Sequence, residues 1–348
     1  MGLSEIEEVI LNLGQPKYRA KQLYSGLQAG KRPEEINVPR SLCDLLYANG
    51  YTYGGVTIHQ KLVSKIDGTV KYLYELEDGN IIEGVLMHYK HGSTLCVSTQ
   101  VGCRMGCAFC ASTIGGLVRH LEAGEILGQV IAANRDNKTE DQKRAVTNIV
   151  LMGSGEPLDN YDNVLKFLKL VSSEDGLNIS ERNISLSTCG LVPQIHRLKE
   201  EHLGITLSLS LHAPEDELRK KMMPIANAYT VKETVDAMRS YVEKTGRRVV
   251  YEYALVNKSN DTKECAQKLA RLIRGMQCHV NLIPLNSVHE SGLAGSDMKR
   301  VAAFKAELEK ENISVTVRRE MGADISGACG QLRRSYLKRE ESPCNTSV

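Results

Sequence analysis

No apolar run in the sequence approaches the ~20 residues that a membrane-crossing helix needs. Hydrophobic residues make up an ordinary 42%. The first residues, Met1-Gly2-Leu3-Ser4-Glu5-Ile6-Glu7-Glu8, are acidic and contain no signal-peptide core. These absences make the cytoplasm the expected compartment and predict no membrane partner. Internal repeats and low-complexity blocks are also missing. Charge of one sign is not in excess: the formal net charge is +2, which neither demands nor excludes nucleic acid. Lys and Arg do gather at Arg318-Arg319, Arg333-Arg334 and Lys338-Arg339, but such runs are usually solvated surface. Cysteine, by contrast, is plentiful. Ten cysteines in a cytosolic chain are not expected to form a disulfide framework. They point to metal binding, thiol chemistry or plain burial.

Residues 1 to about 50 read as short helices broken at Pro16 and Pro39, with Tyr18, Leu23, Tyr24 and Leu27 spaced along one helical face. Strand-like alternation follows at Val56–His59, Val70–Leu76 and Ile81–Met87, with Asp67-Gly68 and Asp78-Gly79 as turns. This predicts a small antiparallel element. From residue 94 the rhythm becomes strand, loop, helix. Candidate strands cover 94–99, 147–152, 183–188, 205–211, 248–256, 279–285 and 314–318; amphipathic helices cover 122–135, 160–173, 230–244, 261–275 and 296–311. Repeated units of this kind predict an α/β fold with a parallel sheet, a full or partial β/α barrel.

In such barrels chemistry sits in the loops after the strands. The unusual polar clusters fall there. Cys103, Cys107 and Cys110 follow the first candidate strand, and Gly153-Ser154-Gly155-Glu156-Pro157 follows the second. Ser187-Thr188, Ser210-Leu211-His212 and Asn286 end the third, fourth and sixth, and Cys329 comes after the last. Scattered structural residues are not expected to share one rim.

The cysteine spacing is Cys-x3-Cys-x2-Cys. Three thiolates leave one iron of a [4Fe-4S] cubane open, whereas electron-carrying ferredoxins use four. An open iron can chelate the amino and carboxylate groups of S-adenosylmethionine. Structural zinc competes for Cys107-x2-Cys110, but it wants a second Cys/His pair and the chain has no second Cys-x-x-Cys. A helix burying the cysteines on one face also competes. Gly102 and Gly106 disfavour it, at roughly 1 kcal/mol for each internal glycine.

The segment Thr94–Thr113, with Gly155-Glu156-Pro157-Leu158, Ser208–Pro214 and Gly322–Leu332, resembles the RlmN/Cfr family of radical S-adenosylmethionine RNA methyltransferases. The resemblance covers nearly the whole chain, including Gln15–Gln22, and is strongest to the RlmN branch. It implies a partial (β/α)6 TIM-type barrel. The expected divisions are a helical RNA-contacting domain at 1–55, a β connector at 56–92, the radical barrel at 93–322, and a C-terminal segment with a basic tail at 323–348. It also implies a [4Fe-4S] cluster on Cys103, Cys107 and Cys110, and S-adenosyl-L-methionine held by Gly155, Glu156, Ser187, Ser210, Leu211, His212 and Asn286.

The implied reaction is methylation of C2 of an adenosine in 23S rRNA, in the peptidyl-transferase region, and of adenosine 37 in tRNA. That carbon is electron-poor and does not attack a sulfonium methyl directly. In the family, a cysteine here matched by Cys329 takes a methyl from one S-adenosylmethionine, and a second supplies the radical that activates it. Glu83 matches the proton acceptor. Cys96 matches the resolving thiol, which frees the product by forming a disulfide with Cys329. Read alone, Cys96 and Cys329 are buried cysteines and Glu83 is an exposed strand carboxylate. Cys43, Cys189, Cys265, Cys278 and Cys344 lack a partner pattern. A flavodoxin or ferredoxin as electron donor and a monomeric state complete the expectation.

Three alternatives stand beside this reading. One is Cfr-type methylation at C8, associated with antibiotic resistance. The segment Gly155–Val164 favours C2, since Cfr tends to lack its proline. Another is a radical enzyme with a different substrate, such as a glycyl-radical activase or a sulfur-inserting enzyme. The last is a non-catalytic zinc protein that binds RNA.

Overall fold

Proline and glycine set the first part of the chain. The computed structural model describes residues 1–53, 55–138, 144–285 and 294–325. Helix α1 (Leu3–Asn12) ends before Gly14 and Pro16, and α2 (Tyr18–Gln28) and α3 (Arg40–Ala48) follow. These helices bury Ile6, Ile10, Ala20, Leu23, Tyr24 and Leu42 in a small core of their own. Leu23 and Tyr24 point inward as their spacing predicts, but Tyr18 is exposed and carries the Arg19 guanidinium over its ring.

The connector is formed by β1 (Thr57–Val63), β2 (Val70–Glu75), β3 (Ile81–Tyr89) and β4 (Gly92–Cys96), each antiparallel to the next. Gly68 and Gly79 take positive φ in the two predicted turns, where a side chain would be strained. Strands β2 and β3 are buried on both faces. Their outer face stacks Tyr72 on Tyr74 and packs beneath helix α4 (Ala123–Asn137), with the Tyr72 hydroxyl donating to Asp136 at 2.8 Å.

Before α4 comes a short hairpin, β5 (Gln100–Gly102) with β6 (Leu117–His120), absent from the sequence reading. The barrel then proceeds through β7 (Asn148–Leu151), α5 (Tyr161–Ser172), β8 (Ile184–Thr188), α6 (Val192–Leu198), β9 (Thr206–Ser210), α7 (Asp216–Met222) and α8 (Val231–Thr245). It finishes with β10 (Val249–Leu255), α9 (Lys263–Ile273), β11 (Cys278–Pro284), α10 (Met298–Lys310) and β12 (Val315–Val317). One mixed sheet results, in the order β1-β2-β3-β4-β7-β8-β9-β10-β11-β12, parallel from β4 onward. The antiparallel connector thus extends one edge of the parallel sheet. This is the α/β architecture that the strand–helix rhythm predicts.

Side-chain alternation decides what the sheet encloses. Outward positions such as Ile184, Leu186, Leu207 and Leu209 are fully buried under the helices. Each contributes about 1.5–3 kcal/mol of burial. Many inward positions are small or polar. One register row runs Val85–Cys96–Val150–Ser185–Thr206, and another Ser210–Glu252–Asn281–Thr316. A closed β/α barrel fills its interior with bulky branched residues. Serines in their place leave room. Among the described residues no helix is long and apolar enough to cross a membrane.

Candidate active site

The C-terminal ends of the parallel strands open onto a cavity of about 650 Å³. Residues from both the cysteine loop and the strand ends line it, including Cys103, Cys107, Cys110, Gly155, Glu156, Ser187, Ser210 and His212. The polar clusters placed on one rim by the sequence therefore meet in space. Leu211 does not line the cavity; its side chain belongs to the main core, and its carbonyl accepts from Arg219 Nε at 3.1 Å. Asn286 and Cys329 lie outside the described residues.

The cysteines sit in the loop between β5 and β6. Gly102, at φ +78°, starts it, and a Cβ there would fall 2.0 Å from the Gly116 carbonyl oxygen. The close approach lets Cys103 N donate to that oxygen at 2.9 Å, which closes the loop at its base. The far side docks on α7, where Ala108 N donates to Met222 O at 2.9 Å. Burial pushes the Cys103 thiol up to about 11 and raises that of Cys107 too, with Cys110 acting electrostatically on both. Thiols such as Cys103 and Cys107, which ionise with difficulty alone, become thiolates when a metal supplies positive charge.

Glu156 begins the next segment. Its Oε2 accepts from Cys189 N at 2.7 Å and its Oε1 from Leu158 N at 3.0 Å. Burial raises its carboxyl above the ordinary range, partly offset by those N–H groups. Gly155, at φ +106°, presses on β5: a Cβ there would lie 2.6 Å from Gln100 Cβ. His212 accepts from Ala254 N through Nδ1 at 3.0 Å, which leaves its proton on Nε2. Burial, aided by the charge of Arg219, depresses its pKa to about 3, so the ring is neutral. The Phe109 ring meets it edge-on at 4.8 Å, tying the cysteine loop to β9 and β10.

The opposite wall comes from the connector. Val85 and Met87 line the cavity, and Cys96 packs with them, Met152 and Met321 in one cluster. Cys96 pairs with Val85, so both side chains face inward. Glu83, two residues before Val85, shares that face, although neither Glu83 nor Cys96 reaches the cavity surface. Glu83 is buried against Lys71 Nζ at 3.6 Å, and that lysine is itself fully buried.

The sequence features of the radical SAM superfamily match residues 97–273. A protein of Alkaliphilus oremlandii described as "Probable dual-specificity RNA methyltransferase RlmN" is 51% identical over 338 residues, 97% of each chain. One of the same description from Clostridium tetani is 50% identical over 340 residues, covering 97% of this chain and 96% of its own. The chain belongs to the RlmN family of radical SAM enzymes. A solved radical SAM methyltransferase from Sphaerobacter thermophilus superposes with a TM-score of 0.89 at 41% identity, over 95% of this chain and 97% of that one. The protein is accordingly an enzyme, a radical SAM methyltransferase.

Membership in the RlmN family implies S-adenosylmethionine and an iron–sulfur cluster, and the donor set suits both. Among the described residues no three His, Cys, Asp or Glu side chains converge on a point that would take one metal ion. A cubane needs no such convergence, because each thiolate binds a different iron. The buried Glu156 carboxylate has no ion pair with a cationic side chain among the described residues, so a cationic ligand group in the cavity would find its charge uncompensated.

Sequence reasoning missed three groups here. Lys71 looked like an ordinary strand residue. Glu252, which lines the cavity and accepts from Asn281 at 2.9 Å, was signalled by being the lone acid in Val249–Leu255. Arg219, wholly buried, was hidden in the charged run Asp216–Lys221.

Proposed function

We propose that this enzyme methylates C2 of an adenosine in 23S rRNA, in the peptidyl-transferase region, and C2 of adenosine 37 in tRNAs. When bound, the cluster and S-adenosylmethionine supply one-electron cleavage chemistry and the methyl group. Cys103, Cys107 and Cys110 hold the cluster. Glu156 receives the ammonium group of S-adenosylmethionine, Gly155 lets its backbone approach, and Ser187, Ser210, His212 and Asn286 complete its surroundings, with Leu211 contributing backbone. Cys329 carries the methyl that becomes attached to adenine. Glu83 takes the ring proton. The Cys96 thiolate then attacks the Cys329 sulfur; a disulfide forms as the carbon–sulfur bond to RNA breaks.

One observation carries this reading: Cys96 and Glu83 lie on the inward face of strands whose neighbours Val85 and Met87 line the same cavity as the three loop cysteines. A radical enzyme without a thiol-resolved adduct has no need of a second thiol there. The remaining assignments accompany it. Residues 1–55 form the RNA-contacting domain, the connector spans 56–92, the barrel 93–322 and the segment with the methyl-carrying cysteine and basic tail 323–348, the cell compartment is the cytoplasm, and a flavodoxin or ferredoxin delivers electrons to a monomer. Arg318 and Arg319 also line the cavity, where phosphate contacts would make RNA binding salt-sensitive.

Nucleoside mass spectrometry of RNA from cells with and without the protein tests the proposal. The expected product is 2-methyladenosine in both RNA classes; 8-methyladenosine alone overturns the regiochemistry. Cys329→Ala should give neither product nor covalent RNA–protein adduct, and methylation by that variant would refute the methyl-carrying role.

A further inference from the structure

We propose that Arg219 donates its unpartnered Nη1–H group to the iron–sulfur site at Cys107 and thereby raises the cluster's reduction potential. The inference rests on the reading that Cys103, Cys107 and Cys110 hold the cluster.

Arg219 has no exposed surface, on a helix whose neighbours Lys220 and Lys221 face outward. Two arms of its guanidinium are occupied. Nε donates to Leu211 O at 3.1 Å, and Nη2 donates to Cys189 O at 2.6 Å and Ser210 O at 3.3 Å. The third arm, Nη1, is buried and has no hydrogen-bond partner among the described residues. No carboxylate among the described residues forms an ion pair with the guanidinium; Asp216, earlier on α7, acts on it only through space. The chain also makes room for it. Gly190 takes φ +102°, and a Cβ there would sit 2.6 Å from Thr234 Cγ2 and 3.3 Å from Arg219 Nη2.

A guanidinium stays charged in proteins, and burying one without an anion is costly unless a partner is supplied. Its surroundings show where that partner belongs. The cysteine loop docks on the same helix, and Cys107 packs with Met222, Met223 and Cys189, the last of which accepts from Arg219 Nη2 through its carbonyl. A cubane on three thiolates is an anion whose negative charge grows when it accepts an electron. A fixed cation behind one of those thiolates stabilises the reduced state more than the oxidised one. Hydrogen bonds to cluster sulfurs and net charge are established determinants of such potentials. The three carbonyl bonds hold the guanidinium in place and leave the remaining arm for the metal site.

The test uses the full chain, reconstituted anaerobically with iron and sulfide and titrated against dithionite while the reduced cluster is followed by electron paramagnetic resonance. At the wild-type midpoint, Arg219→Gln should lower the reduced-to-oxidised ratio by at least about tenfold, equivalent to about 59 mV for one electron, while Arg219→Lys stays within about threefold of wild type. A loaded Arg219→Gln chain with an unchanged midpoint, or a lysine variant that shifts as far as the glutamine one, overturns the inference and leaves only a structural tie. Should the glutamine variant not fold or not load, unsubstituted protein labelled with 15N in its arginine guanidinium groups decides. Pulsed resonance should detect a 15N nucleus coupled to the reduced cluster, a signal absent from labelled Arg219→Lys; its absence from the wild type refutes the assignment. A wild-type chain that takes up no iron and sulfide defeats the cluster reading itself, and is distinguished from a loaded chain that does not respond to Arg219.

Discussion

One wall of the cavity is a loop and the other is a sheet. The cysteine wall takes its shape from glycines at positive φ, from a few backbone bonds at its base, and from docking against α7. The connector wall takes its shape from strand register, which puts Cys96, Val85 and Glu83 on one face without special conformations. The loop can present three thiols to a bulky inorganic group, because its backbone is free to bend around one. The sheet cannot bend so readily, but it fixes a carboxylate and a thiol on one face, as stepwise proton and sulfur transfer require. The two walls therefore suit different halves of a reaction, and removing a thiol from each should fail in different ways.

That contrast gives the largest expected effect. Cys107→Ala should lose bound iron and sulfide together with all methylated product, while circular dichroism stays native. Cys96→Ala should keep its iron and sulfide and accumulate protein cross-linked to RNA, seen as a slow-migrating band that nuclease removes. If Cys96→Ala also lost the cluster, the separation of the walls would collapse.

Strand boundaries were legible because each barrel strand is a short apolar run between turn signals, and all seven candidate strands from residue 94 onward fall on observed ones. The connector's Asp-Gly turns were equally plain. The site was legible where chemistry constrains spacing, as in the cysteine triplet. It was illegible where burial decides the role. Nothing in Val70–Leu76 says that Lys71 is buried, because it pairs with Val85 on the inward face, beside Glu83, and that placement comes from strand register and not from its own segment. Arg219 is followed directly by half-buried Lys220 and exposed Lys221, and only the inward turn of α7 separates it from them. The β5–β6 hairpin was missed because its strands are too short to alternate visibly. Cys329 was found by resemblance alone.

The next effect concerns how the loop wall is braced. Gly155→Ala would place a methyl group 2.8 Å from the Gln100 backbone nitrogen as well as against its side chain, at a φ that alanine rarely adopts. The strand cannot retreat, since the Gln100 side chain also accepts from Glu156 N at 2.8 Å. A loss of about 3 kcal/mol is expected in chemical denaturation. A substitution of the same kind on the other wall, Gly84→Ala, meets the Tyr74 ring at 2.7 Å and should cost less if that ring can shift. Equal losses would show both walls to be equally rigid.

A smaller effect follows from His212, where the loop wall touches the barrel. Its folded-state pKa of about 3 lies below the unfolded value near 6.5, so the unfolded chain binds this proton more readily. The neutral ring's contribution is thus present above pH 6.5 and is lost as pH falls from there towards about 3. The slope should approach about 1.4 kcal/mol per pH unit within that window. Unfolding free energies measured across it should decline less steeply in His212→Gln than in wild type. Parallel declines would mean that the ring is not held neutral. Glu156 works in the opposite sense: its raised pKa means stability is lost as pH rises through the folded value.

Arg104 should matter least, although it neighbours a cluster cysteine. Its guanidinium is paired with Asp159 but is largely exposed, so water and salt screen the pair. Asp159 is better placed, since it is nearly buried and also accepts from Gln100 Nε2 at 2.8 Å. Arg104→Ala should therefore change stability by less than about 1 kcal/mol, with the difference shrinking further at high salt. Asp159→Ala should cost more, because it strips a partner from the strand that begins the cysteine loop. A large loss in Arg104→Ala would mean that the loop wall is held from its solvent side, and that its docking on α7 and its base at Gly102 are insufficient to shape it.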